Sequence, residues 1–180
     1  MAILGVISGG PGVGKTAVIK ELRNRGYTII NEAAREVSES DPRYIGKSIS
    51  EIDKKKFQDE ILNLQINRTK ELSKIKGFIF SDRGFGDTIA YYKIHNIPFI
   101  KPNFVKKYQY GAVFILDILP KYEKDNLRTE SRKEQELVHN EITNTYKKMK
   151  QKIIHVPVMS IKKRVDFIIK ILQLPNNQLE

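Results

Sequence analysis

The chain has 180 residues, 40% of them apolar, which is enough for one domain with one hydrophobic core. It contains no cysteine, so disulfides and thiolate metal sites are excluded, and His95, His139 and His155 have no metal-ligand spacing; any metal is expected to be a hard, oxygen-bound ion such as Mg²⁺. Lys and Arg outnumber Asp and Glu by 32 to 21, a formal charge of +11, which favours nucleotides, nucleic acid or an acidic membrane surface as partners, or else simply marks solvated lysine-rich helix faces.

The first apolar run, ILGVIS at 3–8, reads as a short buried strand. It lacks a basic leader and runs straight into glycines, so neither a signal peptide nor a membrane span is expected, and an intracellular, cytoplasmic protein is. A helix follows from Gly14 to about Arg25, then a strand at 28–31 introduced by Gly26 as a helix stop. Residues 32–38 could be helical, and 38–50, with Pro42, Gly46 and several serines, reads as a loop. Ser50 with Asp53 resembles a capping box at the head of one long helix that carries Phe57, Ile61, Leu64 and Leu72.

A strand at 77–82 comes next, then helices over 86–95 and 102–110 and the most apolar strand, AVFILDI at 112–118. The charged stretch after it leads into a helix over 133–151. A last strand at 152–157 and a helix over 160–172, closed by Pro175, complete the chain. This βαβα order predicts an α/β fold: five buried strands in a parallel sheet with helices on both faces, three layers in all.

Gly9, Gly14, Lys15 and Thr16 satisfy G-x-x-x-x-G-K-[ST], the phosphate-binding loop, between a strand and a helix as that motif requires. The backbone of Gly9, Gly10, Pro11, Gly12, Val13 and Gly14 and the helix start at Lys15, Thr16 and Ala17 are expected to cradle phosphates. Lys15 can reach the β- and γ-phosphates, and Thr16 can place its hydroxyl on Mg²⁺. Asp82, ending the third strand, is a candidate for holding Mg²⁺ or accepting a proton, or it is a helix cap. Arg83 follows it at once. Glu32, at the end of the second strand, is a candidate base for an acceptor hydroxyl or a solvated helix-start carboxylate, and Arg35 could orient an anionic acceptor or pair with Glu32. Arg128 and Arg132 could act from a lid, or belong to an exposed ion-paired face with Glu130, Glu134 and Glu136. The fourth strand is not followed by the N-K-x-D element of GTP-selective switches, and the length does not accommodate a ring-forming ATPase core with its helical lid domain; the compact shape that remains is that of a small kinase.

The sequence resembles the NadR-like group of small P-loop AAA-type ATPase domains, which includes nicotinamide-riboside kinase domains, through GGPGVGKT (9–16), NEAAREV (31–37), FQ (57–58), QINR (65–68), FSDRGFGDTIAYY (80–92), LDILPKYEKDNLRTES (116–131) and the closing IIHVPVMSIKKRVDFII. It is also similar to thymidylate and deoxynucleoside kinases. The resemblance implies a P-loop NTPase with strand order 2-3-1-4-5, ATP or GTP with Mg²⁺, Lys15 and Thr16 on phosphate and metal, Asp82 at the catalytic centre and Arg128 with Arg132 in a lid at about 119–135 of a single domain over 1–174, followed by a tail at 175–180. The expected function is an ATP-dependent kinase acting on a nucleoside, nucleotide or similar small metabolite, with Lys15, Glu32, Asp82, Arg83, Arg128 and Arg132 as its catalytic set. Two alternatives stand beside it: a nucleotide-dependent module that docks on lipid or a protein partner, and a 5′-end polynucleotide kinase.

Overall fold

A computed structural model describes residues 2–72, 77–120 and 131–174. Five strands, β1 (Ala2–Ser8), β2 (Thr28–Ile30), β3 (Gly77–Asp82), β4 (Ala112–Leu116) and β5 (Ile153–Val156), pair in the order β2-β3-β1-β4-β5, and every pairing is parallel. The helices are α1 (Lys15–Asn24), α2 (Ala33–Ser40), α3 (Lys54–Glu71), α4 (Phe85–Ile94), α5 (Asn103–Lys107), α6 (Arg132–Lys148) and α7 (Ile161–Leu172). The expected fold class and strand order are both present.

The side-chain period of two along the strands separates two cores. Leu4 and Val6 of β1, Ile79 of β3 and Val113 and Ile115 of β4 face α3, α4 and α6, where Leu62, Ile66, Ile89, Val138 and Ile142 meet them. Ile7, Phe80, Phe114 and Leu116 face α1 and α7, against Val18, Leu22, Val165 and Ile168. A smaller cluster of Ala33, Val37, Tyr44, Phe57 and Ile61 ties α2 and its following loop to α3. The near-continuous burial of β4 follows from its place inside the sheet with a helix layer on each face.

Several boundaries differ from the sequence reading for local reasons. Ser50 does not cap α3: Asp53 does, accepting from the Lys56 N–H at 3.0 Å, while Ser50 shares a hydrogen bond with Ser48 in the preceding turn. α2 runs on to Ser40, and β4 stops at Leu116, where its pairing with β5 ends at Val156. α5 covers only 103–107, since Tyr108 turns extended and gives its carbonyl to Gln151. α6 ends at Lys148, and Lys150 takes a left-handed conformation, φ 55°. At the α4–α6 crossing a Cβ on Gly86 would lie 2.5 Å from the Tyr146 ring, so the absence of a side chain there sets how closely the two helices pack. The expected lid at about 119–135 falls largely, and the tail at 175–180 wholly, outside the described residues, as do Arg128 and Glu130.

Candidate nucleotide and acceptor site

The loop between β1 and α1 takes backbone conformations that suit glycine, with φ of 130° at Gly9, 69° at Gly12 and 91° at Gly14. It is held from both sides. From α6, His139 Nδ1 accepts the Gly10 N–H at 3.2 Å, and Gln135 Nε2 donates to the Pro11 carbonyl at 2.6 Å. From α7, the buried Arg164 donates to the Val13 carbonyl at 2.7 Å and to the Pro157 carbonyl at 3.1 Å. α1 starts with no side-chain cap, and the Val18 N–H bonds the Gly14 carbonyl. The first-turn N–H groups of Lys15, Thr16 and Ala17 thus lack intrahelical acceptors and, with the helix dipole, are suited to receive an anion.

Lys15 arches back over the loop, its Nζ donating to the carbonyls of Gly9 at 2.9 Å and Gly10 at 2.6 Å. Burial, reinforced by the neighbouring Arg83 charge, pushes its pKa down to about 7 against the opposing pull of Asp87, Asp82 and Glu32. An anion in the loop would stabilise the ammonium form.

Asp82 sits opposite Ile7 in the β1–β3 register. Its Oδ1 is buried without a hydrogen-bond partner, and burial together with the Glu32 charge pushes its pKa up to about 6. Asp82, Thr16, Glu32 and Arg35 line one cleft of about 560 Å³. An orphaned carboxylate oxygen sharing a cleft with an exposed threonine hydroxyl suits a hard divalent cation. Among the described residues no group of three or more Asp, Glu or His converges as a metal cage.

Arg83 has a left-handed backbone, φ 66°, fixed by its N–H on the Ile7 carbonyl at 3.0 Å. Its guanidinium reaches Glu32 Oε1 at 2.6 Å and Asp87 Oδ1 at 3.5 Å and lies over the Tyr91 ring. Burial by itself would raise the Glu32 pKa, but the charge and hydrogen bond of Arg83, together with the charges of Lys15 and Arg35, outweigh it and hold Glu32 below its ordinary value. By geometry Arg83, not Arg35, is the ion-pair partner of Glu32. Arg35 is exposed at the cleft mouth. Arg132 adopts the ion-paired arrangement, with Glu136 at 2.9 Å, and also donates to the Leu119 carbonyl at 2.7 Å and to Gln135 at 3.2 Å, the residue that holds Pro11.

Sequence reasoning missed four supports of this site. Asp87 is 1% exposed and accepts from Ser8 Oγ at 2.7 Å, Tyr146 OH at 2.6 Å and the Gly84 N–H at 3.0 Å. Its only sequence signal is an acid at the third position of a helix, which usually means a cap. Gln135, His139 and Arg164 carry no local signal, because each acts across more than a hundred residues.

A second cavity, of about 630 Å³, opens beside Pro11 between α2, α3, α4 and α6. Phe57, Ile61, Ile94 and Val138 give it an apolar wall, and Gln58, Gln65, Tyr91 and His95 add polar edges. Glu32 and Arg35 line both this cavity and the cleft that holds Thr16 and Asp82.

The model of a protein family described as an AAA domain matches residues 5–164. No curated protein sequence matches the chain. Among solved structures it is similar to NadR in complex with NR, with a TM-score of 0.74 at 15% identity over 99% of this chain and 54% of that one, so it spans about half of NadR. It is also similar to deoxyadenosine kinase from M. mycoides, TM-score 0.59 at 16% identity over 95% and 99% of the two chains, and to thymidylate kinase from Ehrlichia chaffeensis, TM-score 0.56 at 15% identity over 96% and 98%. At such identities the likeness establishes the fold alone, a five-stranded parallel sheet in the order β2-β3-β1-β4-β5 between helix layers.

Proposed function

The chain belongs to the AAA domain family, and we propose that it is a Mg²⁺-dependent kinase that transfers the γ-phosphoryl group of ATP to a hydroxyl of a small, uncharged or cationic acceptor of nucleoside size. The observation that carries this reading is the position of Glu32, which borders both the cleft next to the phosphate loop and the 630 Å³ cavity. A hydrolase needs room only for water, whereas a kinase needs a second, shaped cavity that meets the phosphate site at one point.

The loop amides, the α1 N-terminus and Lys15 bind and orient the phosphates. Thr16 and the orphaned Asp82 carboxylate would hold the metal. When bound, Mg²⁺·ATP supplies the phosphoryl group and neutralises charge on its oxygens. Glu32, ionised and aimed by Arg83, orients the acceptor hydroxyl and takes its proton. Between the two carboxylates this assigns the proton to Glu32 and the metal to Asp82, since Glu32 lines the acceptor cavity and Asp82 lines the Thr16 cleft. Asp87 acts through Arg83 and through Ser8 at the end of β1 rather than on the acceptor.

The acceptor class follows from charge. The cavity is lined by Glu32, Glu39, Asp87 and Glu134 against Arg35 and Arg83, and Arg83 is already engaged by two of the acids. A free phosphomonoester would meet more negative than positive charge there, which favours nucleosides over nucleotides. Nicotinamide riboside, the compound in the NadR structure, carries a positive charge and suits the same wall.

The test is ADP release with ATP and Mg²⁺ over nucleosides, nicotinamide riboside, nucleoside monophosphates and short 5′-hydroxyl oligonucleotides. A nucleoside that raises turnover, with the effect lost in Lys15→Ala and Glu32→Gln, supports the reading. Equal or greater turnover with monophosphates, or no acceptor dependence at all, defeats it.

A further inference from the structure

No Asp or Glu lies between Asp87 and Asp117, a stretch that holds Lys93, Lys101, Lys106 and Lys107, and none lies between Glu141 and Asp166, a stretch that includes Lys147, Lys148, Lys150 and Lys152. The fold sets parts of these two stretches side by side. The Gln151 side chain accepts the Tyr110 N–H at 3.0 Å and donates to the Tyr108 carbonyl at 2.9 Å, and the Val113 N–H donates to the Lys152 carbonyl at 2.8 Å. Lys93 spans from α4 to α6, with its Nζ on Glu141 at 2.8 Å and Thr145 at 2.7 Å, so the acid nearest the second stretch is already paired. Lys106, Lys107, Lys148, Lys150 and Lys152 remain exposed. Burial and the like charges of Lys93 and Lys106 depress the Lys101 pKa, as expected where lysines crowd.

Beside this basic field stands Ile100, 90% exposed. It is held there by its neighbours: Phe99 stacks on Tyr92 with centroids 4.3 Å apart, Ile97 packs against the core, and Pro98 and Pro102 restrict the backbone on either side. Burial in the fold does not explain an aliphatic side chain fixed in water.

Ile100 adjoins Lys101, which feels the charges of Lys93 and Lys106, and most of the lysines flank one end of the sheet. Residues 106–110 lead into the start of β4 and 150–152 into the start of β5, whereas the phosphate loop leaves the other end of β1, and all these strands run parallel. A partner seated on the basic end would leave the nucleotide site open.

We infer that this end of the molecule docks on an anionic phospholipid bilayer, with Ile100 entering between headgroups and the surrounding lysines attracted by the negative surface. Charge complementarity selects an anionic partner, and the aliphatic tip selects lipid. A single-stranded nucleic acid would call for aromatic faces on which bases stack. Here Phe99 is stacked on Tyr92, and Phe104, Tyr108 and Tyr110 pack against Phe85. The inference is independent of the kinase reading.

The test is co-sedimentation of the full chain with vesicles of phosphatidylcholine, with and without a one-third share of phosphatidylserine, beside binding to a single-stranded RNA. Ile100→Ser and the pair Lys106→Glu with Lys107→Glu are compared with the parent, with circular dichroism and nucleotide binding as controls for folding. The expected result is retention on the serine-containing vesicles at least about tenfold above phosphatidylcholine alone, weakened severalfold in each variant and lost at about 0.5 M salt. Retention no higher with phosphatidylserine overturns the inference. So does vesicle binding that is indifferent to Ile100→Ser while RNA binds more tightly, which would assign the face to nucleic acid.

Discussion

The Gly10 N–H donates to His139 Nδ1 at 3.2 Å across the interface between the phosphate loop and α6. The bond requires that nitrogen to be unprotonated, and burial, the largest influence on this ring, lowers its pKa in keeping with that requirement. Because the folded pKa lies below the unfolded value, the contribution is fully present above the unfolded pKa, roughly 6.5, and declines as pH falls below it. His139→Ala should leave a buried N–H unsatisfied at a cost of about 1–3 kcal/mol. Urea unfolding at acid and neutral pH should show a loss of stability in the variant at neutral pH and a shallower decline on acidification.

Lys15 carries a stored cost. Its folded pKa of about 7 means the buried ammonium opposes folding at low and neutral pH, and that penalty is relieved as pH rises from about 7 towards the unfolded value. Lys15→Met should therefore raise the midpoint of thermal unfolding of the nucleotide-free protein while abolishing turnover. The same shift predicts proton uptake when ADP or ATP binds slightly above neutral pH, since the bound anion restores the charge. Calorimetry in buffers of different ionisation enthalpy would measure it, and an uptake unchanged in Lys15→Met would assign the proton elsewhere.

Asp82 and Glu32 should separate in their effects. Asp82→Asn is expected to raise the Mg²⁺ concentration needed for tight nucleotide binding while leaving metal-free ADP affinity near the parent value. Glu32→Gln should instead lower kcat by about 10²-fold or more, with little change in ATP affinity. Titrations of nucleotide at several Mg²⁺ concentrations, set beside steady-state rates, distinguish the two.

Gly86→Ala should be costly out of proportion to one methyl group. The added Cβ would lie 2.5 Å from the Tyr146 ring, whose hydroxyl bonds Asp87, and Asp87 in turn contacts Ser8 and Arg83. Overpacking of this kind costs about 1–3 kcal/mol. Tyr146→Phe removes the hydroxyl without the clash, so comparing kcat and urea midpoints of the two variants separates helix displacement from loss of the Asp87 hydrogen bond.

The sequence by itself determined the phosphate loop and the layered sheet, because both are written in local patterns. Gly9, Gly14, Lys15 and Thr16 fall at fixed spacing between a strand and a helix, and buried strands announce themselves as short apolar runs. Element ends were less legible: whether Ser50 or Asp53 caps α3 depends on which side chain the preceding turn has already engaged. Only the tertiary structure decided that Arg83 rather than Arg35 holds Glu32, that Asp82 is left with an unpartnered oxygen, and that Gln135, His139 and Arg164 clamp the loop. These relationships join residues 51 to 151 positions apart. No local periodicity encodes which of several arginines or glutamates will meet, because the packing of helices on the sheet fixes that choice.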